Sequence, residues 1–446
     1  MAPRSPLVLP EEGCFYYVFI KERKMLDIRF FRENPEHVKD ALQRRFMETA
    51  IVDQILDLDV HRRKLLTEVE ILKAERNAVS KKISQSKDNV KKESSIRAMR
   101  EVGDRIAQLD EKVNRIDDEL QQLLATVPNI PDADIPLGKS ELDNIVVCTI
   151  GEKPGFSFNP LPHWELGPKL GILNFEQGVK ISGSRFYVLS GGGARLQRAL
   201  IAWMLDLHSR QGYREIYPPF LVKGEILFAS GQLPKFADNL YKDHQEDLWM
   251  VPTAEVPLTG IHIGEVLDGN RLPLHYTAYT ACFRREKMSA GRDVRGIKRG
   301  HQFDKVEMYT FCKPEESENE LKKMVADAEQ TCAELGLTHR VVQQCTGDLG
   351  FNGRKAFDVE VWAAGCNEWL EVSSISNVGD FQARRANIKY KTTAGKKELV
   401  HTLNGSGLGL PRTLIAVMEN YQQDDGSIKV PEVLHPWMGG LTRIET

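Results

Sequence analysis

Two runs of apolar residues, spaced alternately three and four apart, occupy residues 55–83 and 102–127. The first holds Ile55, Leu58, Leu65, Val69, Leu72, Val79 and Ile83, with Arg62 and Arg76 on the same seam. The second holds Val102, Ile106, Leu109, Val113, Ile116, Leu120, Leu123 and Val127. A period of 3.5 belongs to helices that wind around a partner, so two such runs back to back predict an antiparallel coiled coil. At about 1.5 Å per residue, helices of roughly 40 residues make an arm on the order of 60 Å long. Such an arm cannot be a catalytic core, and it reaches for something large.

Charge along the arm is uneven. Residues 73–105 carry ten basic side chains (Lys73, Arg76, Lys81, Lys82, Lys87, Lys91, Lys92, Arg97, Arg100 and Arg105) against five acidic ones. Residues 106–124 carry two basic against five acidic. Positive charge therefore gathers at the far end, where a polyanion could be touched. The competing reading is the solvated charged surface that every coiled coil has.

The remaining bounds are broad. A chain of 446 residues exceeds one ordinary core and predicts two or more domains. A net charge of −3 gives no global basic signal, so nucleic-acid binding would be local. Charged residues at 28% and a mean hydropathy of −0.37 indicate a soluble protein, and a cytoplasmic location with no membrane partner is expected. No apolar run approaches the ~18 residues of a membrane span. The seven cysteines form no CxxC pair, so a reducing compartment and no structural zinc are expected. Residues 1–24 combine several prolines with acids and only a short apolar run, and read either as a disordered extension or as a start called too early, with Met25 as the working start.

Met25 to Phe46 reads as a small helical cap, and Pro128, Pro131 and Pro136 end the second long helix. The domain boundaries are thus 25–135 for the arm and 136–446 for the remainder. Beyond Gly138 heptads vanish and short β-rich stretches appear: Ile145–Thr149, Arg185–Leu189, Glu215–Tyr217, Leu274–Phe283, Lys305–Phe311, Phe357–Val361 and Leu370–Ser374. Helical patterns run over Ala194–His208, Glu318–Leu335 and Arg412–Tyr421. Strands and helices do not alternate strictly, which favours an α+β domain on an antiparallel sheet flanked by helices over a dinucleotide fold. The glycines at 191–193 and at 405 and 407 lack the spacing of nucleotide loops.

Three segments place charge inside apolar strands, which is costly unless the charge is paired or liganded. They are Val251 to Glu255; Cys282 to Glu286 with the loop Ser289–Gly296 and the strand His301 to Glu307; and Glu371 to Ser374 with Asn404 to Gly407 and Arg412. An Arg can clamp a phosphate, an aromatic can stack on a base, and a carboxylate can hold an ammonium group or a metal. Taken residue by residue, blander readings compete. Arg284 and Glu286 could be a structural ion pair, Glu255 a helix cap, Val372 and Ser373 plain strand residues, and His301 a structural histidine.

Taken together, these segments resemble the three signature motifs of class II aminoacyl-tRNA synthetases, and specifically the seryl-tRNA synthetases of bacterial and organellar type. The resemblance also includes Met25–Arg29, His163–Gly167, Ile181–Val188, Thr253–Glu255, Gly300–Glu307, Ser376–Arg385, Leu403–Gly407 and Val433–Gly440, in order over some 420 residues. It implies a class II catalytic domain that uses ATP and Mg²⁺ to activate L-serine and then esterifies the terminal adenosine of tRNA-Ser, and also of tRNA-Sec. It gives the arm a partner, the long variable arm of the tRNA, held by Lys73, Arg76, Lys81, Lys82, Lys87, Lys91, Lys92, Arg97 and Arg100.

The resemblance implies further roles. Arg284 would bridge the α-phosphate and the serine carboxylate, Glu286 would read the adenine amino group, and Phe303 and Arg412 would stack on the two faces of the base. Arg285, Glu371, Val372, Ser373 and Ser374 would complete the ATP site, with Glu371 and Ser374 near Mg²⁺. Thr253, Ala254, Glu255, Glu307 and Ser406 would line the serine site together with Arg284. Pro219 would lie at a homodimer interface. Departures from the usual family pattern are Arg285, Lys287-Met288, Val294, Ile375 and Gly409-Leu-Pro411. Two rival readings are an aminoacyl ligase acting on a carrier protein, whose relatives lack the arm, and a non-catalytic synthetase-like protein, which would usually have lost motif residues that remain here.

Overall fold

The alternation of threes and fours does produce two long helices. A computed structural model describes residues 27–85, 89–287 and 295–446. The extension over 1–24, Lys87 and the loop residues 288–294 lie outside the described residues. Two compact units emerge, one of residues 27–43 and 47–128, the other of residues 44–46 and 129–446.

In the first unit, α1 (Ile28–Glu33) and α2 (Pro35–Arg44) form the cap, and α3 (Ala50–Gln85) and α4 (Asn89–Thr126) form the hairpin. Asp27 caps α1 by accepting from Arg29 N at 3.0 Å. Phe31, Val38, Leu42, Val52 and Ile55 are buried. Buried Asp59 is held by Arg32 (Nε 2.7 Å, Nη2 2.9 Å) and Arg63 (Nε 3.0 Å). Leu65, Val69, Ile106, Leu109, Val113 and Ile116 make the seam, with Leu58, Leu72 and Val102 packed against it. Arg62 sits on the seam because it reaches across to Asp117. Arg76, by contrast, is exposed.

At the base the heptad frame slips. Leu124 and Ala125 are buried, whereas Leu123 is only half-buried. A straight helix turns every 3.6 residues and drifts by ~20° per heptad against a period of 3.5, so a neighbouring position takes the core side.

The second unit is built on an eight-stranded sheet. Its strands in chain order are β1 (Ile145–Ile150), β2 (Arg214–Ile216), β3 (Leu274–Phe283), β4 (Gln302–Cys312), β5 (His339–Gln343), β6 (Lys355–Ala363), β7 (Glu368–Gly379) and β8 (His401–Gly409). In space the order is β1-β5-β6-β7-β8-β4-β3-β2, antiparallel except for the parallel pair of β2 and β3. Helices α6 (Gly191–Arg210), α7 (Ser317–Glu334) and α8 (Leu410–Asn420) pack on the sheet around a core of Leu196, Leu200, Met204, Leu321, Leu414 and Met418.

Three strand expectations need correction. Residues 185–189 yield only the two-residue strand Val188–Leu189. The sequence reading passed over β5, a short strand whose pattern is not distinctive. Strand β8 was also absent from those expectations, because Gly405 and Gly407 interrupt its apolar pattern. Those glycines serve close packing: a Cβ on Gly405 would meet Ile375 Cγ1 at 2.8 Å, and one on Gly407 would meet His208 Nε2 at 2.1 Å.

Candidate active site

The pleat of three central strands turns alternate residues toward one cavity of about 330 Å³. From β4 come Phe303 and Lys305, from β8 Asn404 and Ser406, and from β7 Val372, Ser374 and Ser376. Thr253 and Glu255 enter from the start of the short helix Glu255–Gly260, and Arg412 from the first turn of α8, behind Pro411. Arg284 and Glu286 arrive from the chain just beyond β3. That strand ends at Phe283, and Glu286 has a φ of 51°, so the two are not alternating residues on one strand face. Glu286 Oε2 lies instead 3.7 Å from Arg299 Nη1.

One end of the cavity is carboxylate-rich. Glu255 and Glu307 are both buried. Glu255 Oε1 accepts from Gln382 Nε2 at 2.7 Å and from Asn352 Nδ2 at 3.0 Å. Glu307 Oε2 accepts from Thr253 Oγ1 at 2.9 Å and pairs with Lys305, while its Oε1 has no hydrogen-bond partner among the described residues. Burial, reinforced by the charge of Glu307, pushes the Glu255 carboxyl up to about 7, against Lys305 and the two amide donors. Two buried carboxylates sharing one end of a cavity repel, and buried ion pairs are weak contributors to stability. Such an arrangement suits a small cationic, hydrogen-bonding ligand.

The other end is cationic and aromatic. Arg284 is steered by Nε donating to Pro252 O at 3.2 Å, and its guanidinium carbon stands 5.0 Å from the centre of the Phe303 ring. His301 Nδ1 donates to Arg284 O at 3.0 Å. Arg412 Nη1 donates to Glu371 O at 2.7 Å and lies 3.3 Å from Glu371 Oε1.

Beside this end, Gln344 Nε2 bridges buried Asp358 (2.9 and 3.0 Å) and Ser374 Oγ (3.2 Å), and Gln344 Oε1 is buried without a partner among the described residues. Glu371, Ser374 and Asp358 offer hard oxygens only, and burial together with Glu371 drives the Asp358 carboxyl well above the usual range. That donor set fits Mg²⁺.

Three sequence candidates do not face the cavity. Ser373 points to the other side of β7, where Oγ donates to Ser406 O at 2.6 Å. Ala254 is fully buried. Arg285 Nε donates to Leu240 O at 2.9 Å, with its guanidinium over Tyr241. The sequence reading passed over Gln232, Lys298, Arg299, Gly300, Lys305, Asn352, Asp358 and Gln382. Lys305 stands two residues from Glu307 in a strand already singled out, so its alternation was an available signal. Asn352 has no local signal, because only the fold brings it to Glu255, whereas Gln382 lies within the resembling stretch Ser376–Arg385, where it was given no role.

At the far end of the hairpin, Arg76, Lys81, Lys82, Lys92, Arg97 and Arg100 are exposed. Two other cations there are engaged across the hairpin, Lys73 with Asp110 (3.3 Å) and Arg105 with Glu68 (3.1 Å). Lys91 lies in α4.

Comparison with known proteins agrees with this geometry. Residues 25–131 match the family described as the seryl-tRNA synthetase N-terminal domain, and residues 236–421 match the tRNA synthetase class II core domain (G, H, P, S and T). A serine–tRNA ligase of Roseiflexus sp. (strain RS-1) is 59% identical over 94% of this chain and 99% of its own length. One of Roseiflexus castenholzii is 60% identical over 93% and 98%. The crystal structure of a seryl-tRNA synthetase from Pyrococcus horikoshii, complexed with ATP, superposes with a TM-score of 0.88 at 36% identity, covering 94% of this chain and 99% of that one. A cytoplasmic serine-tRNA ligase from Naegleria fowleri, in complex with AMP, gives 0.82 at 31% identity, covering 95% and 99%.

Proposed function

This chain belongs to the seryl-tRNA synthetase family, and from that premise we propose how its own residues perform the family's reaction. The activity is ATP-dependent ligation of serine to tRNA-Ser. The serine carboxylate attacks the α-phosphorus of ATP, the bond to pyrophosphate breaks, and seryl-adenylate forms. A ribose hydroxyl of the terminal adenosine of the tRNA then attacks the adenylate carbonyl, and AMP leaves.

The observation that carries the assignment is the polarity of this cavity, with paired carboxylates at one end and an arginine–phenylalanine–arginine set at the other. Glu255, Glu307, Thr253 and Ser406 hold the serine ammonium and hydroxyl groups. Arg284, beside Phe303, stabilises charge on the α-phosphate as it develops and orients the incoming carboxylate. Phe303 and Arg412 sandwich the adenine, and Glu286 accepts from its amino group. Glu371 and Ser374, supported by Asp358, hold Mg²⁺, which neutralises phosphate charge when bound. No step needs a protein nucleophile.

The exposed cations of the hairpin tip grip tRNA phosphates. Phosphate contacts carry no sequence information, so the same grip serves tRNA-Sec as well as tRNA-Ser. Homodimerisation through the region of Pro219 is supported by the exposure of Pro219 itself, of Tyr217 (83%) and of Leu221 (49%) beside the edge strand β2. We place the enzyme in the cytoplasm, where its tRNA and ATP are.

Pyrophosphate exchange measured with each amino acid tests the reading. Serine should support exchange, and alanine should be poorer by about 10⁴-fold, because it leaves buried polar groups unpaired. Comparable exchange with alanine, or a stronger signal with another amino acid, would refute it.

A further inference from the structure

One buried polar cluster takes no part in the chemistry above. Glu419, on α8, is 0% exposed and accepts four hydrogen bonds: from His163 N and Nδ1 at 2.8 Å each, from Cys366 N at 2.8 Å and from Cys366 Sγ at 3.0 Å. Four donors satisfy a carboxylate that would otherwise be expensive to bury. His163, also 0% exposed, opens the helix α5 (His163–Lys169) and belongs to the His-Trp-Glu-Leu-Gly segment, to which the reading above gives no role.

The other ring nitrogen of His163 fixes the tautomer. Ile297 N donates to His163 Nε2 at 3.1 Å. A backbone N–H can only donate, so Nε2 carries the lone pair and Nδ1 carries the proton given to Glu419. The chain presses directly on this ring. Gly296 has a φ of 74°, and a Cβ there would lie 1.9 Å from His163 Nε2.

The two ends of this relay lead to two walls of the cavity. Ile297 is followed by Lys298 and Arg299, which line it. Glu419 stands seven residues after Arg412 on the same helix, about two turns. We propose that His163 and Glu419 are positioning residues that fix the spacing between the Lys298–Arg299 wall and the Arg412 wall, and so the fit of ATP between them. Neither residue touches ATP. The relay acts by holding backbone, and an error on the order of 1 Å in a phosphate-binding group is costly in rate and affinity. The inference rests on the reading of this cavity as the ATP site.

The test compares His163→Asn with His163→Gln in the full chain by serine-dependent pyrophosphate exchange. Asn keeps a donor toward Glu419 and offers nothing to Ile297 N, whereas Gln can bring an amide oxygen near the lost Nε2. The expected result is a KM for ATP raised about tenfold in His163→Asn, a KM for serine within twofold of the parent, and recovery of most of the loss in His163→Gln. Gly296→Ala is the second variant, because its Cβ would fall on the His163 ring and so part that ring from Ile297 N while leaving every donor and acceptor of the relay in the sequence. It should likewise raise the KM for ATP and not that for serine.

An unchanged KM for ATP in folded His163→Asn or in Gly296→Ala overturns the proposal. So does an equal loss for ATP and serine with a lowered Tm, which would mark a purely structural role. If the parent protein itself shows no serine-dependent exchange, it is the ATP-site reading that fails. If the parent is active and the variants are neutral, only the positioning role fails.

Discussion

The hairpin and the sheet hold together by opposite means. In the hairpin, each contact is set by position along two helices: Leu65 and Val69 meet Ile106, Leu109 and Val113 because the period of 3.5 keeps them on one seam. In the sheet, neighbours are remote in sequence. Strand β8 lies between β7 and β4 although β4 precedes it by some 90 residues, and Ser406 pairs with Glu307 only through that crossover. The first kind of order can surround little more than its own seam, while the second can enclose a cavity. The difference suits the first unit to reaching and the second to chemistry.

The largest expected effect lies in the sheet. Arg284→Ala should leave Tm unchanged and lower serine-dependent pyrophosphate exchange by about 10²–10³, the usual loss when one preorganised donor to developing charge is removed. Normal exchange in that variant would dissolve the distinction drawn here between the two units, because the cavity would no longer be the place of reaction.

A smaller effect sharpens the account of the carboxylate end. Burial and Glu307 raise Glu255 from its ordinary 4.5 to about 7, so the empty site holds a proton there below neutrality. An ammonium ligand requires the ionised form. The KM for serine should therefore fall about fivefold as pH rises from 6 to 7, and level off by about pH 8. In Glu255→Gln, KM should be high and flat over that range. A KM for serine that does not change between pH 6 and 8 in the parent enzyme would contradict the assignment.

The two regions also differ in how much could be read beforehand. The hairpin was legible almost residue by residue, and the slip from Leu123 to Leu124 came from helical drift that a strict heptad ignores. In the sheet, Leu274–Phe283 was legible as a strand because its apolar and aromatic run sits between turns, and it spans those same residues. β8 was not, because Gly405 and Gly407 suggest a turn when read locally and serve close packing in the fold. Of the site, the motif residues Arg284, Phe303, Glu371 and Arg412 were legible through resemblance. Asn352 and Asp358 were not, since what makes them matter is a neighbour more than ten residues away, and Gln382, though inside Ser376–Arg385, drew no role because its partner Glu255 is remote in sequence. Ser373 and Arg285 show the converse: membership of a motif does not say which way a side chain faces.

The central claim is that chemistry resides in the second unit and that the hairpin tip serves only to hold tRNA. Replacing residues 73–105 by a short turn tests it most directly, because Leu65, Val69, Ile106, Leu109 and Val113 remain to close the seam below. The account predicts unchanged serine-dependent pyrophosphate exchange together with charging of tRNA-Ser that is crippled, the gap being widest at low salt, where each neutralised phosphate contributes most through counterion release. Charging of tRNA-Ser as efficient as that of the intact protein would contradict it.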